Sequence, residues 1–195
     1  MALSPASRVL LIEIARRALL KNLAIDGSPP ATDQATTDPA TTDPELTAPA
    51  GCFVSLHDRS THRLRGCVGR LDPALPLWEA VRETAEDVLQ DPRFVTHPVT
   101  ASDVPDLEIE VSVLSPPREA TSTTDFDPMV EGIYLTYGGR AGFFLPQVAR
   151  ETGWTREQLL DRLCIEKLGL PPEAWRKKEA KLFTFEVEVV GPETV

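Results

Sequence analysis

Apolar and polar positions alternate most plainly over residues 107–113, where Leu107, Ile109, Val111 and Val113 are separated by Glu108, Glu110 and Ser112. A period of two predicts a strand buried on one face. CFVSLHD (52–58) also alternates, and LRGCVGRL (64–71) follows it across Arg59-Ser60-Thr61-His62, a turn composition. The two segments predict a hairpin. GIYLTY (132–137), Gly138-Gly139 and AGFFL (141–145) predict a second one. KLFTFEVEVV (181–190) reads as a last strand, with Phe183, Phe185, Val187 and Val189 in register.

The period changes to a helical one in three places. Ser4-Pro5 supplies an N-cap and a first-turn proline, after which Val9, Ile12, Leu19 and Leu23 recur opposite Arg16, Arg17 and Lys21. Asp26-Gly27 closes that helix. Residues 75–90 place Leu77, Val81, Ala85, Val88 and Leu89 inside and Glu79, Arg82, Glu83 and Glu86 outside. Asp91-Pro92 stops this helix, with Arg93 placed to bond its last carbonyls and Phe94 to anchor the loop. Residues 155–168 form a third helix, with Leu159, Leu160, Leu163 and Leu168 inside and Gly169 as its cap. Strands joined by hairpins, with helices that do not alternate with them, define an α+β fold. Its sheet is mainly antiparallel and flanked by helices.

Residues 27–50 break every period. Thr, Asp, Pro and Ala dominate, Leu46 is the one large aliphatic, and Ala35-Thr36-Thr37-Asp38-Pro39 is echoed by Ala40-Thr41-Thr42-Asp43-Pro44. Such a segment buries too little to offset its ordering entropy, so a flexible connection is expected. The chain then divides into an N-terminal helix packed on the domain (1–26), this connection (27–50) and the ordered domain (51–195).

Composition narrows the function classes. The chain has 195 residues, 42% hydrophobic, and a net charge of -10. That balance argues against bulk attraction to nucleic acid or an anionic membrane surface. The most apolar run, 9–20, is short and interrupted by Glu13, Arg16 and Arg17, so no membrane span is expected. The three cysteines, Cys52, Cys67 and Cys164, form no CxxC pair. A reducing compartment and a cytoplasmic protein are expected.

The chemistry concentrates in the first hairpin. Residues 57–70 hold Arg59, Arg63, Arg65 and Arg70 against one acid, Asp58, in an otherwise acidic chain. That excess fits a site for an anion, and it equally fits a solvated surface hairpin. Cys67 lies between Gly66 and Gly69, two residues after Arg65. Nearby positive charge favours a thiolate, and the glycines admit a substrate to the backbone. Free cysteine also packs as a small apolar residue, and that reading competes. If Leu64 faces the core, alternation puts Gly66 and Val68 with it and Cys67 with Arg65 and Gly69 opposite. Candidate substrate-binding residues are Arg65, Gly66, Gly69 and His57; candidate catalytic residues are Cys67 and Glu110, the latter as an acid or base. His57 and His62 flank a turn without a third ligand at metal-binding spacing, so no metal and no cofactor are expected.

Several segments together are similar to the AMMECR-one domain family. They are GCFVSL (51–56), LRGCVG (64–69), DPRF (91–94), EIEVSVLSP (108–116) and GIYLTYGGRAGFFLPQVARETGW (132–154), with Trp175 and the last strand behind them. LRGCVG differs from the family's LRGCIG by one volume-conserving change. The resemblance implies an α+β fold with a larger and a smaller lobe. It also implies kinship with the A component of the AmmeMemoRadiSam gene neighbourhood, and so partners among Memo-like and radical S-adenosylmethionine proteins. It carries no secure reaction. Two roles stay open: an enzyme or enzyme subunit acting on a small anionic or nucleotide-like substrate at LRGCVG, and a non-catalytic adaptor docking through that surface.

Overall fold

The computed structural model describes residues 2–23, 39–122 and 125–195. The chain forms two compact units, Met1–Leu114 with Glu188–Val195, and Ser115–Val187.

In the first unit, helix α1 (Pro5–Asn22) starts where Ser4 accepts the Ser7 amide on its side chain. Its buried stripe is Ser7, Leu11, Ile12, Ala15, Ala18 and Leu19. Val9, expected on the inner side, is 63% exposed. Small alanines at 15 and 18 carry the close contact, so the stripe lies to one side of the one read from large aliphatics alone. The Asp26-Gly27 stop lies outside the described residues.

Residues 39–50, expected as part of a flexible connection, are built against this helix. Two short helices, α2 (Pro39–Thr42) and α3 (Pro44–Thr47), bring Ala40 and Leu46 into the core. Asp43 accepts from the Ser7 hydroxyl at 2.7 Å, and Glu45 accepts the Ser4 amide at 2.8 Å. One buried leucine, one carboxylate on the Ser7 hydroxyl and one on the Ser4 amide fix a segment whose mean composition argued otherwise.

Strands β1 (Cys52–Asp58) and β2 (Leu64–Arg70) form the expected hairpin. Its turn is set by Asp58, whose carboxylate accepts from the amides and hydroxyls of Ser60 and Thr61. Helix α4 (Leu77–Asp87) follows, continued by a 3-10 turn over Val88–Gln90. Strand β3 (Leu107–Leu114) pairs antiparallel with the other side of β1. Cys52, Val54, Leu56, Ile109, Val111 and Val113 share a core with Leu77, Ala80, Val81 and Ala85 of α4 and with the α1 stripe. The opposite face of the three strands carries Cys67, Gly69, His57 and Glu110.

In the second unit, β4 (Arg118–Glu119), β5 (Glu131–Tyr137), β6 (Arg140–Phe144) and the first part of β7 (Lys181–Thr194) form an antiparallel sheet. Gly138 and Gly139 both take positive φ, 59° and 75°, as a two-residue hairpin turn requires. Helix α5 (Pro146–Thr152) was not read from the sequence, although proline begins it and left-handed Gly153 ends it. Helix α6 (Arg156–Leu163) opens with a Thr155–Gln158 capping box and runs into one π-helical turn, Cys164–Leu168, closed by Gly169. The last stretch of β7 belongs to the first unit.

Candidate functional site

Strand register puts the candidates in order. Cys67 pairs with Ser55, and Ser55 pairs with Glu110, so the three residues form one row across β2, β1 and β3. The next row is Gly69, Phe53 and Ser112, and the row on the other side pairs His57 with Glu108. Neighbouring strands lie about 4.8 Å apart, which sets Cys67 and Glu110 roughly 10 Å from each other across Ser55. Direct proton exchange between thiol and carboxylate is therefore ruled out, because it needs contact or a single bridging water.

Gly66 and Val68 face the helices, as alternation predicts. At Gly66 an added Cβ would meet the Val88 carbonyl oxygen at 3.0 Å, so the missing side chain serves helix packing. At Gly69 it would lie 2.2 Å from the Phe53 ring, which fills the space above that glycine. Both glycines are thus accounted for by the fold.

Arg65 departs from expectation. The register of β1 on β2 shifts between Leu56 and His57, which pair with Gly66 and Leu64. Arg65 is the extra residue of a bulge, and the alternation that set it beside Cys67 stops there. Its guanidinium lies 3.6 Å from Asp103. Two other hairpin arginines are balanced as well: Arg59 lies 4.0 Å from Glu108 and Arg70 3.0 Å from Glu83. Arg63 is exposed and makes no ion pair among the described residues.

The guanidinium beside Cys67 belongs to Arg93. Asp91, 4% exposed, accepts the Cys67 amide at 2.9 Å, and Arg93 donates to the Cys67 carbonyl at 2.7 Å. Arg93 also donates to both Asp91 oxygens, at 3.0 and 2.6 Å. The pair grips both backbone groups of the cysteine. These bonds, the one from the Arg93 side chain first, hold the Asp91 carboxyl down at about 2. Arg93 is in turn held above its ordinary value, by Asp91 first and by the Cys67 side chain among the lesser causes. Arg93 therefore does not bond the last carbonyls of its own helix; it reaches across to β2.

The other thiols differ in kind. Cys52 is buried against the Thr84 hydroxyl, and burial pushes it up to about 11. Burial raises Cys164 as well. Cys67 is the only one of the three that is not buried. His57 is half-buried on the face of the row, whereas His62 and His97 are exposed. Among the described residues no group of three His, Cys, Asp or Glu side chains is placed to hold a metal ion, and no helix is long and apolar enough to cross a membrane.

Three members of the site carry no sequence signal of their own. Asp91 and Arg93 read as a helix stop, and Ser55 reads as a polar position of an alternating strand.

Comparison with known proteins follows the same outline. The AMMECR1 family model matches residues 12–190. Protein MJ0810 of Methanocaldococcus jannaschii is 37% identical over 146 residues, 71% of each chain. A protein of Aquifex aeolicus is 35% identical over 145 residues, 71% of this chain and 73% of its own. The crystal structure of the uncharacterized protein PH0010 from Pyrococcus horikoshii superposes with a TM-score of 0.76 at 33% identity, covering 92% of this chain and 88% of that one.

Proposed function

This chain belongs to the AMMECR1 family, and we propose that its first hairpin is a substrate site at which Cys67 acts as a reactive thiol. The substrate is a small anionic or nucleotide-like molecule. The observation that carries this reading is the grip of Asp91 and Arg93 on the Cys67 peptide, which fixes the thiol beside a guanidinium. A fixed, cation-flanked and accessible thiol is the arrangement that nucleophilic cysteines require. Among the described residues the Arg93 Nη1 group has no hydrogen bond, which leaves donors for an anionic group next to the sulfur. Glu110, at the far end of the row, serves the other end of the substrate as acid or base. The reading places the protein in a pathway with Memo-like and radical S-adenosylmethionine proteins, whose products or substrates it would handle.

Competitive alkylation tests it. With iodoacetamide at neutral pH, followed by peptide mass mapping of the folded chain, Cys67 is expected to react at least about tenfold faster than Cys52 and Cys164, and faster than a solvated thiol peptide. Arg93→Ala is expected to remove the advantage over the peptide. A Cys67 as slow as the two buried thiols sinks the proposal and leaves the hairpin as a packing and docking surface.

A further inference from the structure

The second unit holds a cavity that the hairpin reading does not use. It measures about 550 Å³, inside the range of roughly 300–1,000 Å³ typical of small-molecule sites. Tyr137, at the end of β5, lines it together with Leu170, Pro171 and Pro172 of the loop that follows the π-helical turn.

That loop is held at several points. Left-handed Gly169 ends the π-helical turn, and the Leu170 amide donates to the Cys164 carbonyl at 2.9 Å. Arg140 donates to the Leu168 and Gly169 carbonyls. Asp161 accepts the Glu173 amide at 2.9 Å and the Trp175 indole N–H at 2.8 Å. Glu173 sits at a φ of 63°, a left-handed conformation that a residue with a side chain rarely adopts. Such a conformation persists where the surroundings over-determine it, as Asp161 does here. The wall of the cavity is therefore preformed, and an occupant orders little of it on binding.

The charges of the lining do not cancel. Arg176 stacks on Trp175, 4.1 Å from the ring centre, and is offset by Glu157 at 3.1 Å and Glu173 at 3.7 Å. Lys177 also lines the cavity, and its ammonium has no ion pair or hydrogen bond among the described residues. The Tyr137 hydroxyl has no hydrogen bond there either. In a chain of net charge -10, RKKEAK (176–181) carries four cations against one acid. Tyr137 and the two prolines offer flat apolar faces, which suit an aromatic ring. One unpaired ammonium matches one negative charge, and a phenol hydroxyl can donate to the same group. A phosphate monoester carries about two charges and leaves one of them unmet. An amine is repelled by Lys177.

We propose that this cavity binds a small aromatic carboxylate, with the ring on Tyr137, Pro171 and Pro172 and the carboxylate on Lys177. The site lies within the second unit and stands whether or not Cys67 is reactive.

Calorimetric titration of the full chain with 3-phenylpropionate tests it. Titrated alongside are 3-phenylpropylamine, propionate, phenyl phosphate and the tripeptide N-acetyl-Gly-Gly-Phe. The aromatic carboxylate is expected to bind at least about tenfold tighter than each of the other four. Lys177→Met should weaken it about fivefold, and Tyr137→Ala about tenfold. Lys177 is exposed, so the thermal midpoint of Lys177→Met should match that of the parent, which separates lost binding from lost folding. Equal binding of the amine or of propionate overturns the proposal, since either charge or ring would then be idle. Tighter binding of phenyl phosphate or of the tripeptide overturns it in favour of a phosphate ester or a chain terminus. A Lys177→Met protein that binds as well as the parent, or a parent that binds none of the five saturably, overturns it outright.

Discussion

Replacing Asp91 by alanine strips one buried carboxylate of four hydrogen bonds, from the Cys67 amide, the Arg93 amide and two nitrogens of the Arg93 side chain. Each bond to a charged acceptor contributes about 1.5–3 kcal/mol, but four sharing one group do not add. The titration gives a second measure. The carboxyl lies at about 2 in the fold against an ordinary 3.8. That difference corresponds to about 2 kcal/mol of stability, held by the charged form. Loss of the neutral bonds adds to it, so Asp91→Ala should cost about 3 kcal/mol and Asp91→Asn about 2 kcal/mol. The sign follows from the lowered value. The stabilisation is complete above about pH 5, falls to about half near pH 3, and is gone once the pH drops below about 2. Urea unfolding of parent and Asp91→Asn at pH 7 and pH 3 reads this directly, because other carboxylates cancel in the difference. Hydrogen exchange at the Cys67 amide reads it locally: protection should fall in Asp91→Ala while core amides of β3 change less. Coincident unfolding curves at pH 7, or a difference that stays constant down to pH 3, would refute the assignment of Asp91 as the holder of the Cys67 peptide.

Other consequences are quicker to check. Arg93→Lys keeps the charge but cannot span Asp91 and the Cys67 carbonyl together, so most of the Asp91→Ala loss should appear in its unfolding midpoint. Gly69→Ala drives a Cβ to 2.2 Å from the Phe53 ring and 2.5 Å from the Cys52 carbonyl. It should cost about 2–3 kcal/mol by thermal unfolding. Gly66→Ala, whose nearest atoms stand at 3.0 and 3.1 Å, should cost about 1 kcal/mol. Cys52, raised to about 11 by burial, should stay unalkylated in the folded chain as the pH is raised from 7 to 9.

The strands were legible because burial on one face writes a period of two into the chain. Leu107 to Val113 follow it in residue type, whereas in Cys52 to Leu56 the apolar Phe53 breaks it and packs against Gly69. Helix α5 escaped because seven residues hold too few turns for a periodic signal. Residues 39–50 escaped because composition averages over a window, whereas a single buried Leu46 and two carboxylates decide their order. At the site, alternation located Cys67 and Glu110 on one face but misplaced Arg65, since a bulge shifts the register without altering the residues on either side of it. The partner that does reach the cysteine lies 26 positions away, beyond the reach of any local pattern.

Among the described residues β2 ends the hydrogen-bonded order of strands, with β1 on one side and no strand on the other. An edge of this kind offers unpaired amides and carbonyls as a template for a strand from another molecule. At Cys67 the offer is withdrawn. The carboxylate of Asp91 takes the outward amide and the guanidinium of Arg93 takes the outward carbonyl, so two side chains imitate the backbone of a missing neighbour. The same grip that fixes the thiol therefore also guards the sheet against edge-to-edge association. A chain that loses it risks aggregation.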